Sequence, residues 1–416
     1  MSTNDTNASN GSQVARRPRA ASSSRSVPRG ALTVACAVAS VLLSSAALAG
    51  PNEQAARLYN RIAGVPPSAA ELQTMATDIT NGNAMAAAAV ATNSPNFYNT
   101  VLKNWVMPWT NRDQTAFAPL NDYVATVIGM VRDNVPFNTA LSADILYTSN
   151  APGLPAPSAA DNNHYATAEA NNVDLQATLV AGTQSAIYGI PSNATAGLIT
   201  TRASTSSFFI NGTNRAMFRF TLMAHLCLDM PQVEDITRPP DRIRQDVSRS
   251  PGGDSRVFLN TCIGCHSGMD PMAQAFAYYN FNGTVVGDGL NTGSLEYTPG
   301  QVQPKYHINA TNFPQGFFTT DDSWSNRWRE GPNQILGWSA GLPGSGNGAK
   351  SLGQELESST QFASCQVSKV FQAVCYRAPE NAQDLQEVAQ MQSDFQSGGY
   401  SLKTMFQEAG VYCMGN

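Results

Sequence analysis

The chain has 416 residues, 13% of them charged and 42% hydrophobic, and a formal net charge of −5; at roughly 150 residues per domain it can hold two or three domains. Residues 1–49 set five arginines (Arg16, Arg17, Arg19, Arg25, Arg29) against Asp5, a balance of +4 that leaves −9 for the remainder. A body that acidic excludes nucleic acid as a partner, because phosphates demand Lys and Arg. With 32 Gly and 24 Pro, the composition points to a loop-rich exported protein rather than a cytosolic enzyme.

In chain order, a polar, basic stretch of 30 residues leads into an apolar run, Ala31 to Ala49, ending in Ala47-Leu48-Ala49. This small-x-small ending before Gly50-Pro51 predicts a signal peptide over 1–49. Alanines and serines dilute the run and no basic cluster follows it, so it reads as cleaved rather than as a spanning helix. Residues 50–150 read as a helical N-terminal module. Ala55, Leu58, Tyr59 and Ile62 follow helical spacing, and Ser68-x-x-Glu71 is a capping box for a second helix. Phe97, Val101, Leu102 and Trp105 pattern a third helix, and Asn121 caps a fourth from Tyr123 to Arg132. Residues 151–205, rich in Pro, Ala, Asn and Ser, read as a linker or long loop. A segment over 206–345 opens with a helix from about Asn214 to Cys227 and turns Gly- and Asn-rich beyond residue 280. Residues 346–416 form a helical C-terminal module: Ser351-x-x-Gln354 caps one helix, and Phe362, Val367, Val370, Phe371 and Val374 pattern the next.

One pentapeptide carries chemistry: Cys262-Ile263-Gly264-Cys265-His266, the C-x-x-C-H pattern of covalent haem attachment. Asp254, after the turn Ser250-Pro251-Gly252-Gly253, can cap a helix that puts both cysteines on one face, three residues apart. Their thiols can add to the two vinyl groups of one haem, and His266 then supplies the proximal imidazole. A zinc site needs two more ligands, and no second C-x-x-C or H-x-x-x-H exists. A thioredoxin-type pair wants a βαβ setting that the helical surroundings do not offer.

For the sixth iron ligand, Met269 follows too closely, since three extended residues reach only roughly 10 Å, and Met272, six residues on, has a marginal reach. His225 shares an apolar face with Phe218, Leu222 and Leu226 and is the candidate, with a core histidine as the competing reading. His307 reads as surface, His164 as part of the linker, and Met107, Met217 and Met230 stay open, as does an unfilled position. Arg215, Arg219, Arg242 and Arg244 flank the motif and suit either haem propionates or salt bridges. Asp321-Asp322, Asp241 and Glu355/Glu357 read as caps and solvated faces, and Gly344–Gly348 as a flexible turn. Among Cys227, Cys365, Cys375 and Cys413, a continuous helix would hold Cys365 and Cys375 roughly 15 Å apart, beyond disulfide reach. Cys227 then pairs with one of them and Cys413 with the other.

The run from Arg242 to Asp254, followed by Cys-Ile-Gly-Cys-His-Ser-Gly-Met-Asp-Pro271, resembles the planctomycete-type cytochrome c family, in which an Asp-Pro shortly after C-x-x-C-H marks the haem segment. "RLYNRIAGVPPSAAEL" and the tail from "LGQELESSTQFASCQVSKVFQAVCYR" to "SDFQSGGYSLKTMFQEAG" are similar to that family's flanking helical modules. The resemblance implies thioether links at Cys262 and Cys265 and axial ligation by His266. The expected architecture is mainly α: a helical N-terminal module, a cytochrome c-like haem segment with long irregular loops, and a helical C-terminal module. The expected function is an exported monohaem c-type cytochrome, periplasmic or secreted, passing single electrons to a redox partner protein. It carries one covalent haem c and has no stable membrane insertion after signal cleavage. The alternatives are a haem c oxidoreductase or peroxidase-like enzyme with an open iron site, and a binding protein whose haem is structural.

Overall fold

A computed structural model describes residues 49–210, 212–239, 255–284, 292–307 and 317–415. The expected signal peptide, apart from Ala49, lies outside the described residues, as do Asp254, Asp241, Arg242 and Arg244. Helix outweighs strand by 57% to 8%, so the chain is mainly α.

The first helices form where capping and periodicity agree. α1 (Pro51–Ala63) opens on a proline, where a missing N–H costs nothing, and buries Ala55, Leu58, Tyr59 and Ile62. α2 (Ala69–Thr80) carries the predicted capping box: Glu71 N–H donates to Ser68 Oγ at 3.3 Å and Ser68 N–H to Glu71 at 2.8 Å. The alanine-rich α3 (Ala84–Thr92) follows, then one wide π-type turn over Phe97–Leu102 and the short α4 (Lys103–Val106). Asn121 caps α5 (Asp122–Arg132) by accepting from Val124 N–H at 3.1 Å. Every residue from Asp122 to Val131 is buried, which makes α5 the centre of the body.

Residues 151–205 are ordered, against the expectation of a linker. β1 (Leu146–Ser149) pairs antiparallel with β2 (Leu179–Gly182), Leu146 opposite Gly182. The connection holds α6 (Asn163–Ala170) and α7 (Leu175–Thr178); α8 (Gln184–Tyr188) and α9 (Arg202–Phe208) follow β2. Polar composition disguises this region because its polar groups are paired internally. Asp122, for instance, accepts from Arg202 N–H at 2.5 Å and Ala203 N–H at 3.0 Å, capping α9 from α5.

α10 (Arg215–Leu226) and α11 (Ser255–Thr261) precede the motif, which lies at the start of α12 (Ile263–Ala273) with Cys262 as its N-cap. Two antiparallel ribbons come next: β3 (Tyr279–Gly283) with β4 (Gly293–Tyr297), and β5 (Ser323–Ser325) with β6 (Ser345–Asn347). The glycine-rich 344–348 run is therefore largely strand rather than a free turn. α13 (Gly348–Glu357) begins one turn before the expected cap; Ser351 sits inside it, donating back to Asn347 O at 2.6 Å and accepting from Trp324 Nε1 at 2.8 Å. Glu355 and Glu357 are buried, not solvated: Glu355 accepts from Arg329 at 2.8 and 2.7 Å, and Glu357 from Leu141 N–H at 2.7 Å and from the Ser142 hydroxyl.

α14 (Thr360–Cys375), α15 (Ala382–Ser397) and α16 (Leu402–Cys413) complete the chain. α16 returns to pack on α1, where a Cβ on Gly410 would fall 2.6 Å from Ile62 and 2.7 Å from Leu58. The first and last helices of the described residues thus share one apolar cluster, running from Ala55 to Ala409. Cys365 and Cys375 do lie on one helix; Cys227 pairs with Cys365 and Cys375 with Cys413, at Cα separations of 5.3 and 5.5 Å. Beside the first bridge, three α14 side chains satisfy the last carbonyls of α10. Lys369 donates to Ala224 O at 2.7 Å, Gln366 to His225 O at 3.0 Å and Gln361 to Leu226 O at 2.8 Å.

Candidate functional site

α12 begins immediately after Cys262, and His266 N–H donates to Cys262 O at 3.2 Å, the first helical turn. Cys262, Cys265, His266 and Met269 therefore follow one another at helical spacing on one face. Cys262 and Cys265 are unpaired with each other and half-buried, and His266 is half-buried beside them. The opposite face of α12 is fixed to the protein: Asp235 N–H donates to Gly264 O at 2.8 Å and Ser267 Oγ to Asp235 O at 2.7 Å. One turn on, Gly268 lets Trp328 approach so closely that a Cβ would fall 1.9 Å from its Nε1. Any side chain there would lift α12 off the buried indole.

Burial, reinforced by Glu234, the neighbouring Cys262 and Asp229, pushes the Cys265 thiol up. Among the described residues no three His, Cys, Asp or Glu side chains converge as a metal cage. Cys262 and Cys265 line a helix face, an arrangement that suits attachment to the rim of a planar ring.

His266 is held by a buried acid. Its Nδ1 lies 3.1 and 3.2 Å from the two oxygens of Asp270, whose side chain is 0% exposed. Arg215, in the first turn of α10, donates to the same carboxylate at 2.7 and 3.3 Å. A proton on Nδ1, donated to Asp270, leaves the lone pair on Nε2, the atom an iron ligand must offer. The donor set thus fits haem c: two thiols three residues apart and an imidazole whose Nδ1 faces a buried carboxylate. Asp270 enters the sequence reading only within the Asp-Pro pair; its four-residue spacing from His266 was the available signal. Arg215 donates to this carboxylate, and Arg219 pairs with Asp229 at 2.6 Å.

The structure does not bring His225 to His266. His225 lies in the last turn of α10, ten residues or about 15 Å along the axis from Arg215. Its ring packs among Trp109, Tyr123, Phe137 and Phe362, with Nε2 2.7 Å from Tyr123 Oη and Nδ1 buried without a partner among the described residues. Burial, then the Lys369 ammonium, holds its pKa well below the usual histidine value, so the ring is neutral. The competing reading, a core histidine, describes it. His164 is also buried, with Nδ1 2.7 Å from Pro155 O and Nε2 accepting from Ser149 N–H at 3.0 Å. His307 is half-buried, stacked on Phe318 with ring centroids 4.2 Å apart. Met269 and Met272 continue the helix of His266 and are buried within it.

Compared with protein-family models, curated proteins and solved structures, the chain matches none. The reading of the site therefore rests on its own geometry.

Proposed function

We propose that Cys262, Cys265 and His266 form a covalent attachment site for one haem c, and that the chain is an exported monohaem c-type cytochrome of the planctomycete type passing single electrons to a redox partner protein. The observation that carries this reading is the single face of α12, where two half-exposed thiols adjoin an imidazole anchored on a buried carboxylate. When bound, haem c supplies a one-electron redox centre at its iron. The chain's own part is to attach, orient and shield. Cys262 and Cys265 would each form one thioether, and His266 would ligate through Nε2 while Asp270 holds the Nδ1 proton. Asp235, Ser267 and Trp328 keep the helix seated.

Export is supported by the apolar run ending at Ala49 and by the two disulfides, which persist in oxidising compartments. No helix among the described residues is long and apolar enough to cross a membrane. Expression with a haem-attachment system should give one haem per chain by the pyridine haemochrome assay, resistant to acidified organic solvent. A colourless product overturns the proposal.

One observation favours the second reading, an oxidoreductase or peroxidase-like enzyme. A cavity of about 530 Å3, lined by Trp109, Phe220, Met223 and Asp229 among others, adjoins Met230, whose carbonyl lies 3.7 Å from Cys265 Sγ. Rapid binding of cyanide or peroxide would favour that reading; a low-spin spectrum indifferent to both favours the relay.

A further inference from the structure

Resting on the haem-attachment reading, we infer that Asp270, clamped by Arg215, is the positioning residue that makes His266 an electron-rich ligand and so favours the oxidised state of the attached iron. The carboxylate has no exposed surface, and Arg215 meets it there with two bonds, 2.7 and 3.3 Å, so that the acid is paired inside the protein. Both oxygens also face His266 Nδ1, at 3.1 and 3.2 Å.

A backbone carbonyl in this position would fix the tautomer but bring no charge. A carboxylate does both: it draws the Nδ1 proton towards itself and pushes electron density to Nε2. A stronger donor at the axial position stabilises the ferric state and lowers the reduction potential. The arrangement is also rigid. Asp270 stands four residues from His266 on one helix, and Arg215 stands at the start of a second helix whose far end is tied to α14 by three hydrogen bonds and a disulfide.

The test is a redox titration of the full chain, matured with haem attached, beside a haemochrome measurement of haem content. Asp270→Asn keeps an acceptor oxygen and removes the charge. It should shift the reduction equilibrium at least tenfold towards the ferrous state, 59 mV for a one-electron couple, with haem content unchanged. Because Asp270→Asn takes a carboxylate away from the Arg215 guanidinium and can fail to fold, the double variant Arg215→Gln/Asp270→Asn, which removes both charges, serves as the second probe and should shift in the same direction. A shift below twofold in a variant that carries haem overturns the role of Asp270 and leaves the attachment site standing. A parent protein without covalent haem overturns the attachment reading itself, and this inference with it.

Discussion

At the last turn of α10, His225 lies among four aromatic rings with Tyr123 Oη 2.7 Å from its Nε2, whereas at the first turn Arg215 reaches Asp270 and, through it, His266. Both histidines are tied to α10, yet one is neutral and enclosed while the other is half-buried beside two thiols. The difference lies in the neighbour. An apolar shell denies His225 any use for a charge, and a clamped carboxylate gives His266 a fixed tautomer and a directed lone pair.

The largest expected effect tests whether the two ends are mechanically separate. Replacing Cys227 and Cys365 together by serine opens a 138-residue loop and should lower the unfolding free energy by about 5 kcal/mol in the chain-entropy picture. The same change at Cys375 and Cys413, 38 residues apart, should cost about 4 kcal/mol. Guanidinium denaturation ranks the two. If the first variant also loses its haem spectrum while folded, the ends of α10 are coupled and the contrast breaks.

A second prediction sharpens the comparison from the side of the acids. Glu357 is buried like Asp270, but its partners are the neutral Leu141 N–H and Ser142 hydroxyl, and burial raises its pKa from 4.5 to about 8. Between those values the folded protein keeps a proton that the unfolded chain has released. Stability should therefore fall as pH rises from 4.5 to about 8, by at most about 1.4 kcal/mol per pH unit, and level off above. Glu357→Gln should flatten that slope in denaturation curves taken across the window; an unchanged slope would assign it elsewhere.

Smaller effects follow. Tyr123→Phe strands His225 Nε2 in the core and should cost about 1–3 kcal/mol while leaving the redox potential at its parent value. A shifted potential would mean that His225 reaches the iron after all. Smallest, Ser68→Ala removes one capping oxygen far from both histidines and should cost about 1 kcal/mol in thermal unfolding, with no spectral change.

Local chemistry was readable wherever it is local. Ser68 with Glu71, Asn121, and the α1 and α14 periodicities announce their helices because the signal lies within one turn. α3 escaped because a run of alanines offers no contrast between faces, and the three ribbons because strands of three to five residues leave too little alternation. Residues 151–205 look like a linker in the sequence because composition registers polarity and not pairing: His164 is buried with both ring nitrogens bonded, and Arg202 and Ala203 N–H donate to the buried Asp122. The same limit governs the site. Cys262, Cys265 and His266 are legible as a motif, but the Arg215–Asp270 clamp joins residues 55 apart and exists only once α10 and α12 meet. The cysteines fell between these cases, since helix length forbade one pairing and only tertiary placement chose between the other two.

The anchorage of α10 has a corollary for how the gene can change. With Ala224, His225 and Leu226 moored to α14, the helix is a strut of fixed length whose opposite tip carries the guanidinium. Inserting one residue between Arg215 and His225 would swing that tip by about 100° and advance it about 1.5 Å, out of reach of its carboxylate. Evolution can lengthen the surrounding loops, but this rod admits substitution only.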